Sequence, residues 1–213
     1  MSKVIRIVVG DIGTNCYLLH SNRDIAVIDP GFDGSKIINQ ANTLDGKITH
    51  IINTHGHIDH VSANKMIKDE TDAKIYIHKD DADLLVHPAK NLSFLIGEYI
   101  SLPAADVIVN EGDIIKVGNV ELKVIHTPGH TKGGICLFTD KFAFTGDTLF
   151  FDSIGRTDFP DASEKQIFSS LRKLKQLLND DMIIYPGHGE WGSFSEVKRI
   201  NPFLSFSDDD LPT

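Results

Sequence analysis

Thr54-His55-Gly56-His57-Ile58-Asp59-His60 sets three imidazoles and a carboxylate within six positions. The segment follows an apolar run, 48–53, that reads as a strand, and it opens a stretch, 59–69, that reads as a helix. While the backbone is extended, alternate side chains share a face, so His55 and His57 point the same way. Asp59 and His60, at the helix start, face a second point. Imidazole suits zinc and iron, and carboxylate adds affinity for harder ions. Four donors at one corner exceed what a single tetrahedral ion takes when further ligands come from elsewhere. The spacing therefore favours two ions side by side. Satisfied core histidines account for one such residue easily and for the group poorly.

Three more donors stand after predicted strands. His130 lies in Thr127-Pro128-Gly129-His130-Thr131, Asp147 in Thr145-Gly146-Asp147-Thr148, and His188 in Tyr185-Pro186-Gly187-His188-Gly189. Each has a glycine just before it, where the backbone can turn sharply. Singly, each reads better as a turn residue. Together they put every new donor at the carboxyl end of a strand, where α/β folds build sites.

Farther out, 4–9, 14–20, 25–28 and 74–77 read as strands, and 34–44 and 79–86 as helices. The second half repeats the pattern, with strands at 106–109, 114–117, 120–125, 135–138, 142–144 and 182–185. A helix is expected over 163–178, opened by a Ser163/Gln166 capping box and striped by Ile167, Phe168, Leu171, Leu174, Leu177 and Leu178. A short helix follows at 194–200. Two β-rich halves, each carrying helices, predict two sheets face to face with helices outside. Residues 91–105 are irregular, read either as a packed surface connection or as an apolar flap over a cleft.

The chain has 213 residues, 41% hydrophobic and 24% charged, with a formal charge of −9. That is enough for one domain with a real core, expected here over 1–213. The acidic balance speaks against nucleic acid and against an anionic membrane as partners. No apolar run approaches the ~20 residues of a membrane span. Residues 1–10 lack the apolar core of a signal peptide. Cys16 and Cys136 form no C-x-x-C pair. These features predict a cytoplasmic protein. The acidic tail, 205–213, reads as a solvated end, and nothing in the sequence fixes the oligomeric state.

The set T-H-G-H-I-D-H, T-P-G-H-T, G-D-T and P-G-H-G resembles the metallo-β-lactamase superfamily. Within it, the chain looks like the glyoxalase II-like (hydroxyacylglutathione hydrolase-like) branch, short bacterial type. Gly146-Asp147-Thr148-Leu149-Phe150, Ile154-Gly155-Arg156-Thr157-Asp158-Phe159-Pro160 and Asn201-Pro202-Phe203-Leu204 carry the finer likeness. The match spans about residues 10–204 and is more specific for the superfamily than for a substrate. The resemblance implies an αββα four-layer sandwich. It assigns His55, His57 and His130 to one ion, Asp59, His60 and His188 to another, and Asp147 to a bridge between them. The ions would be divalent, zinc first, with iron or manganese as alternatives. Asp29 matches a strand-end aspartate that hydrogen-bonds the metal loop, although Asp29-Pro30-Gly31 also reads as a plain turn.

Such a pair of ions acidifies a bridging water, whose hydroxide attacks a carbonyl carbon. No separate general acid stands in the motifs, beyond Asp59 or a metal-held water. A thiolate leaving group needs no proton, so a small-molecule thioester such as S-lactoylglutathione is the expected substrate. The chain departs from full glyoxalase II in two ways. No C-terminal helical domain for glutathione is expected after His188, and Glu190 and Trp191 stand where the branch has a tyrosine. Arg156 matches a basic substrate contact, with an ion pair to Asp158 as the competing role. A mononuclear-iron persulfide dioxygenase-like oxidoreductase is the alternative, because it shares G-R-T-D-F. Non-enzymatic relatives would have lost a ligand. A class B β-lactamase would usually carry cysteine at Asp147.

Overall fold

A computed structural model describes residues 2–205, so the Asp208-Asp209-Asp210 part of the expected solvated tail lies outside the described residues. The first sheet runs in the order β1 (Lys3–Val9), β2 (Thr14–Ser21), β3 (Asp24–Ile28), β4 (Lys47–Ile52), β5 (Lys74–His78) and β6 (Val107–Val109). β1, β2 and β3 pair antiparallel, and β3 to β6 pair parallel. The second sheet orders β12 (Gly192–Ser193), β11 (Ile183–Pro186), β10 (Phe142–Gly146), β9 (Ile135–Phe138), β8 (Val120–His126) and β7 (Ile114–Val117). Only β10 and β11 are parallel there.

The strand period of two builds the layers. Along β2, Cys16 and Leu18 join one core cluster, and Tyr17 and Leu19 join another. The first cluster lies under α1 (Gly34–Ala41) and α3 (Asn64–Thr71), which contribute Ile37, Ala41 and Ile67. The second lies between the sheets, where Tyr17, Leu19, Ile28 and Ile52 meet Val117, Leu122, Val124, Leu137 and Phe144. A third covers the far face of the second sheet. There α5 (Glu164–Leu177) and α6 (Phe194–Ile200) bury Ile167, Phe168, Leu171, Leu174 and Val197. Each fully buried side chain of this size contributes about 1.5–3 kcal/mol. The result is the expected order of helix, sheet, sheet, helix. Cys16 and Cys136 are free and buried in different layers.

Several elements differ from expectation. The helix expected over 59–69 is two pieces, α2 (Ile58–Val61) and α3. The Ala63 N–H donates to the Pro30 carbonyl at 3.1 Å instead of continuing the helix, which ties this corner to the end of β3. The helix expected from residue 79 begins later, as α4 (Ala82–Val86). The Lys79 N–H goes to the Val109 carbonyl instead. Ser163 caps α5 by accepting from the Gln166 N–H, but the full reciprocal capping box stands at Ser193 and Glu196, on α6.

Residues 91–105 hold one 3₁₀ turn, Ser93–Ile96. Buried Asn91 and Ser93 pin it: Asn91 Nδ2 donates to the Ile100 carbonyl, and Ser93 Oγ accepts from the Ile100 N–H. Phe94, Leu95 and Ile96 stay exposed. Among the described residues, no helix is long and apolar enough to cross a membrane.

Candidate metal centre

The parallel pairing sets Asp29, after β3, and residues 54–60, after β4, at one edge of the first sheet. In the second sheet β8, β10 and β11 run the same way, so residues 127–131, Asp147 and His188 leave from one edge. The two edges meet. Thr14, opening β2, bridges to His188, and the Ile135 N–H donates to the Thr54 carbonyl at 2.9 Å. Asn15 Nδ2 donates to the Pro186 and Gly189 carbonyls, both at 3.0 Å, and Tyr17 donates its hydroxyl to Pro186 at 2.7 Å. The donors predicted from separate motifs therefore converge on one seam.

His55, His57 and His130 form one group, Asp59, His60 and His188 a second, and His55, His60 and Asp147 a third that overlaps both. Within each group the donor atoms lie within 4.8 Å of one another. Asp147 stands between them. Its Oδ1 is 3.3 Å from His60 Nε2, and its Oδ2 is 3.5 Å from His130 Nε2 and 3.6 Å from His188 Nε2. Gly187 makes room for this approach, since a Cβ there would stand 2.1 Å from Asp147 Oδ1. Gly146 turns the chain into Asp147 with φ +47°.

The hydrogen bonds set which imidazole nitrogen keeps its lone pair. The Arg156 carbonyl only accepts, so His130 Nδ1 carries the proton in their 2.9 Å bond and Nε2 faces the site. Thr54 donates its hydroxyl to Asp29 Oδ2 at 2.7 Å, so His55 Nδ1–H donates to Thr54 Oγ1 at 3.2 Å. That leaves His55 Nε2 bare. Asp29 also takes the Thr54 N–H at 2.7 Å and stands 3.1 Å from His60 Nδ1. One carboxylate thus orients His55 through Thr54 and lies against His60, as carboxylates behind ligating histidines do in metal sites. Asp29 also makes the expected turn, with the Gly31 N–H on its carbonyl at 2.9 Å.

Burial and the neighbouring histidines hold His55 and His57 well below the usual imidazole range. Burial opposes charge on His60 too, yet Asp59, Asp147 and Asp29 outweigh it and raise its pKa well above that range. His188 is raised by Asp59 and Asp147 against the same burial. Asp59 is half-buried, which opposes its charge, but His60 and His188 draw its pKa well down, and Thr14 donates a hydroxyl to it at 3.1 Å. His55 Nε2 and Asp147 Oδ1 are buried without a hydrogen-bond partner. Bare buried lone pairs facing one point, on imidazole and carboxylate, are the donor set of divalent transition ions. The residues fit that group.

Two features escaped the sequence reading. Buried Asp81 accepts the Gly56 N–H at 3.0 Å and the Gly133 N–H at 2.6 Å, clamping the metal-binding loop to the start of β9. Its only sequence signal is an aspartate beyond a strand. His78, buried at the end of β5, stacks on His126 of β8 at 4.1 Å, with Asp80 beside them. Arg156 makes the ion pair with Asp158, through Nε and Nη2 at 2.6 Å each, and lies 4.6 Å over the Phe159 ring.

A cavity of about 760 Å³ opens on His57, Asp59, His130, Asp147 and His188. Leu95 and Ile96 help to line it, so residues 91–105 contribute a wall, whereas Glu190 and Trp191 do not. Trp191 turns to Tyr185, with ring centres 5.7 Å apart, and Glu190 to Arg6.

Residues 9–188 match the metallo-beta-lactamase superfamily domain. The hydroxyacylglutathione hydrolase GloC of Haemophilus influenzae is 35% identical over 200 residues, covering 90% of this chain and 92% of that protein. The crystal structure of the BLEG-1 B3 metallo-beta-lactamase superimposes with a TM-score of 0.90 at 29% identity, covering 96% of this chain and all (100%) of that one. TTHA1623 in a di-iron-bound form gives 0.83 at 30% identity, over 94% of this chain and 100% of its own.

Proposed function

Since the chain belongs to the metallo-beta-lactamase superfamily, we propose that it is a hydrolase working with two divalent ions, and that its substrates are acyl thioesters. The observation that carries the reading is the position of Asp147, whose two oxygens face His60 and His130 from opposite donor groups. His55, His57 and His130 would hold one ion, Asp59, His60 and His188 the other, and Asp147 both. When bound, the ions supply Lewis acidity and an acidified water at neutral pH.

The chain's own residues do the rest. Neutral His55 and His57 offer lone pairs without first losing a proton. Asp29 fixes the tautomer of His55 through Thr54 and stands close to His60 Nδ1. Asp59, held ionised by His60 and His188, brings a carboxylate to the second group. The loop after β10 and the 3₁₀ turn line one side of the cavity. None of these groups is a dedicated acid for an amine leaving group, whereas a thiolate leaves without one. A relative named for hydroxyacylglutathione hydrolysis supports the thioester as the bond cleaved.

The test is hydrolysis of a short acyl thioester, followed by release of free thiol. Chelation should abolish it and a divalent ion should restore it. Turnover that survives complete metal removal would sink the reading.

A further inference from the structure

The walls of the cavity say more about the substrate than the donors do. Away from the metal-binding groups, Ile12, Leu95, Ile96, Phe150, Ile154 and Phe159 line it. Ile12 and Leu95 are 65% and 62% exposed, although each faces the cavity, so large apolar surface stands open to solvent where a ligand would lie. Four charged side chains complete the wall: Asp11, Asp33, Glu98 and Arg156. Three are carboxylates. The lone cation is already engaged by both oxygens of Asp158 and rests on Phe159. Lys36, three residues from Asp33, donates to the Val8 carbonyl instead. Beyond the metal-binding groups, a ligand in this cavity therefore meets apolar side chains and carboxylates, with no free cation among those outer wall residues.

Resting on the thioester reading above, we propose that the site selects apolar acyl groups carried on uncharged or cationic thiols, and turns away thiols that carry carboxylates, glutathione included. A glutathionyl group brings two carboxylates and one ammonium, a net negative charge that Asp11, Asp33 and Glu98 repel. The acyl chain lies on Ile12, Leu95 and Ile96. Each methylene it adds improves transfer from water by roughly threefold to fourfold until the wall is covered. Repulsion by exposed carboxylates is screened by salt, so the discrimination against glutathione narrows as ionic strength rises.

Two measurements on the metal-loaded protein test this. The first compares kcat/KM for acetyl, butyryl and hexanoyl thioesters of N-acetylcysteamine with that for S-hexanoylglutathione. The neutral hexanoyl thioester should exceed both its acetyl counterpart and the glutathione thioester at least tenfold. The second is calorimetric binding of two uncleavable thioethers, S-hexyl-N-acetylcysteamine and S-hexylglutathione, which reads the wall without turnover. The neutral thioether should bind at least tenfold more tightly at low salt. The double variant Asp11→Asn, Glu98→Gln should shrink that gap to under threefold by strengthening the glutathione thioether. Equal or tighter binding of S-hexylglutathione to the parent protein would overturn the proposal. A binding preference as described, with no thioester cleaved at all, would overturn the hydrolase reading instead.

Discussion

Asp29 and Asp147 are both carboxylates of the seam, but they act at different removes. Asp147 directs its oxygens into both donor groups. Asp29 reaches the site only through Thr54 and the far nitrogen of His60. Asp147→Ala should therefore empty both groups of metal and nearly abolish turnover. Asp29→Ala should leave the donors in place but loosely oriented, costing about 10–100-fold in activity or metal affinity, as losses behind ligands do. Metal content and kcat measured on both variants check this, and wild-type values for Asp147→Ala would refute the bridge. The metal-ligand candidates were legible in the sequence because four donors crowd into six positions, 55–60, and the other three each follow a glycine at or after the end of a strand. Asp81 was not legible. It meets Gly56 and Gly133 across separations of 25 and 52 residues, and no local pattern encodes such a meeting.

Among the elements, every strand but the two-residue β12 was read to within two residues, because apolar alternation and turn residues mark them. Helix ends were read less well, since tertiary hydrogen bonds overrode local preference. Ala63 gives its N–H to Pro30, so a single expected helix breaks in two. At α5 the side chain of Gln166 does not return the bond to Ser163, whereas at α6 both halves of the box close. Ser193→Ala should then cost about 1 kcal/mol of stability. Denaturant midpoints should fall accordingly while turnover, set at the other end of β11, stays near that of the parent. A loss of activity without a loss of stability would show that α6 bears on the site. The fold of residues 91–105 had no signal at all, because buried Asn91 and Ser93, rather than periodicity, hold its 3₁₀ turn.

At the scale of the whole molecule, neither sheet carries a complete site. The first brings Asp29, His55, His57, Asp59 and His60, and the second brings His130, Asp147 and His188, so ion binding and the docking of the halves support each other. His78 and His126 form another contact across the same two sheets. Burial, with His126 stacked on it, lowers the His78 pKa to about 4. The unfolded chain binds that proton near pH 6.5, so between there and pH 4 it holds more protons than the native state. The stability this histidine contributes is full above pH 6.5 and is lost as pH falls through the window. His78→Phe keeps a flat ring on His126 without a titrating group. The midpoint of denaturant unfolding should drop less between pH 7 and pH 4.5 in that variant than in the parent. An identical drop would show that His78 titrates normally. The central claim, two ions shared across the seam, is tested most directly by counting them. Elemental analysis of fully active protein, purified without added metal and normalised to chain concentration, should approach two divalent ions per chain. A stable value of one iron per chain, with oxygen uptake on a persulfide substrate, would contradict it.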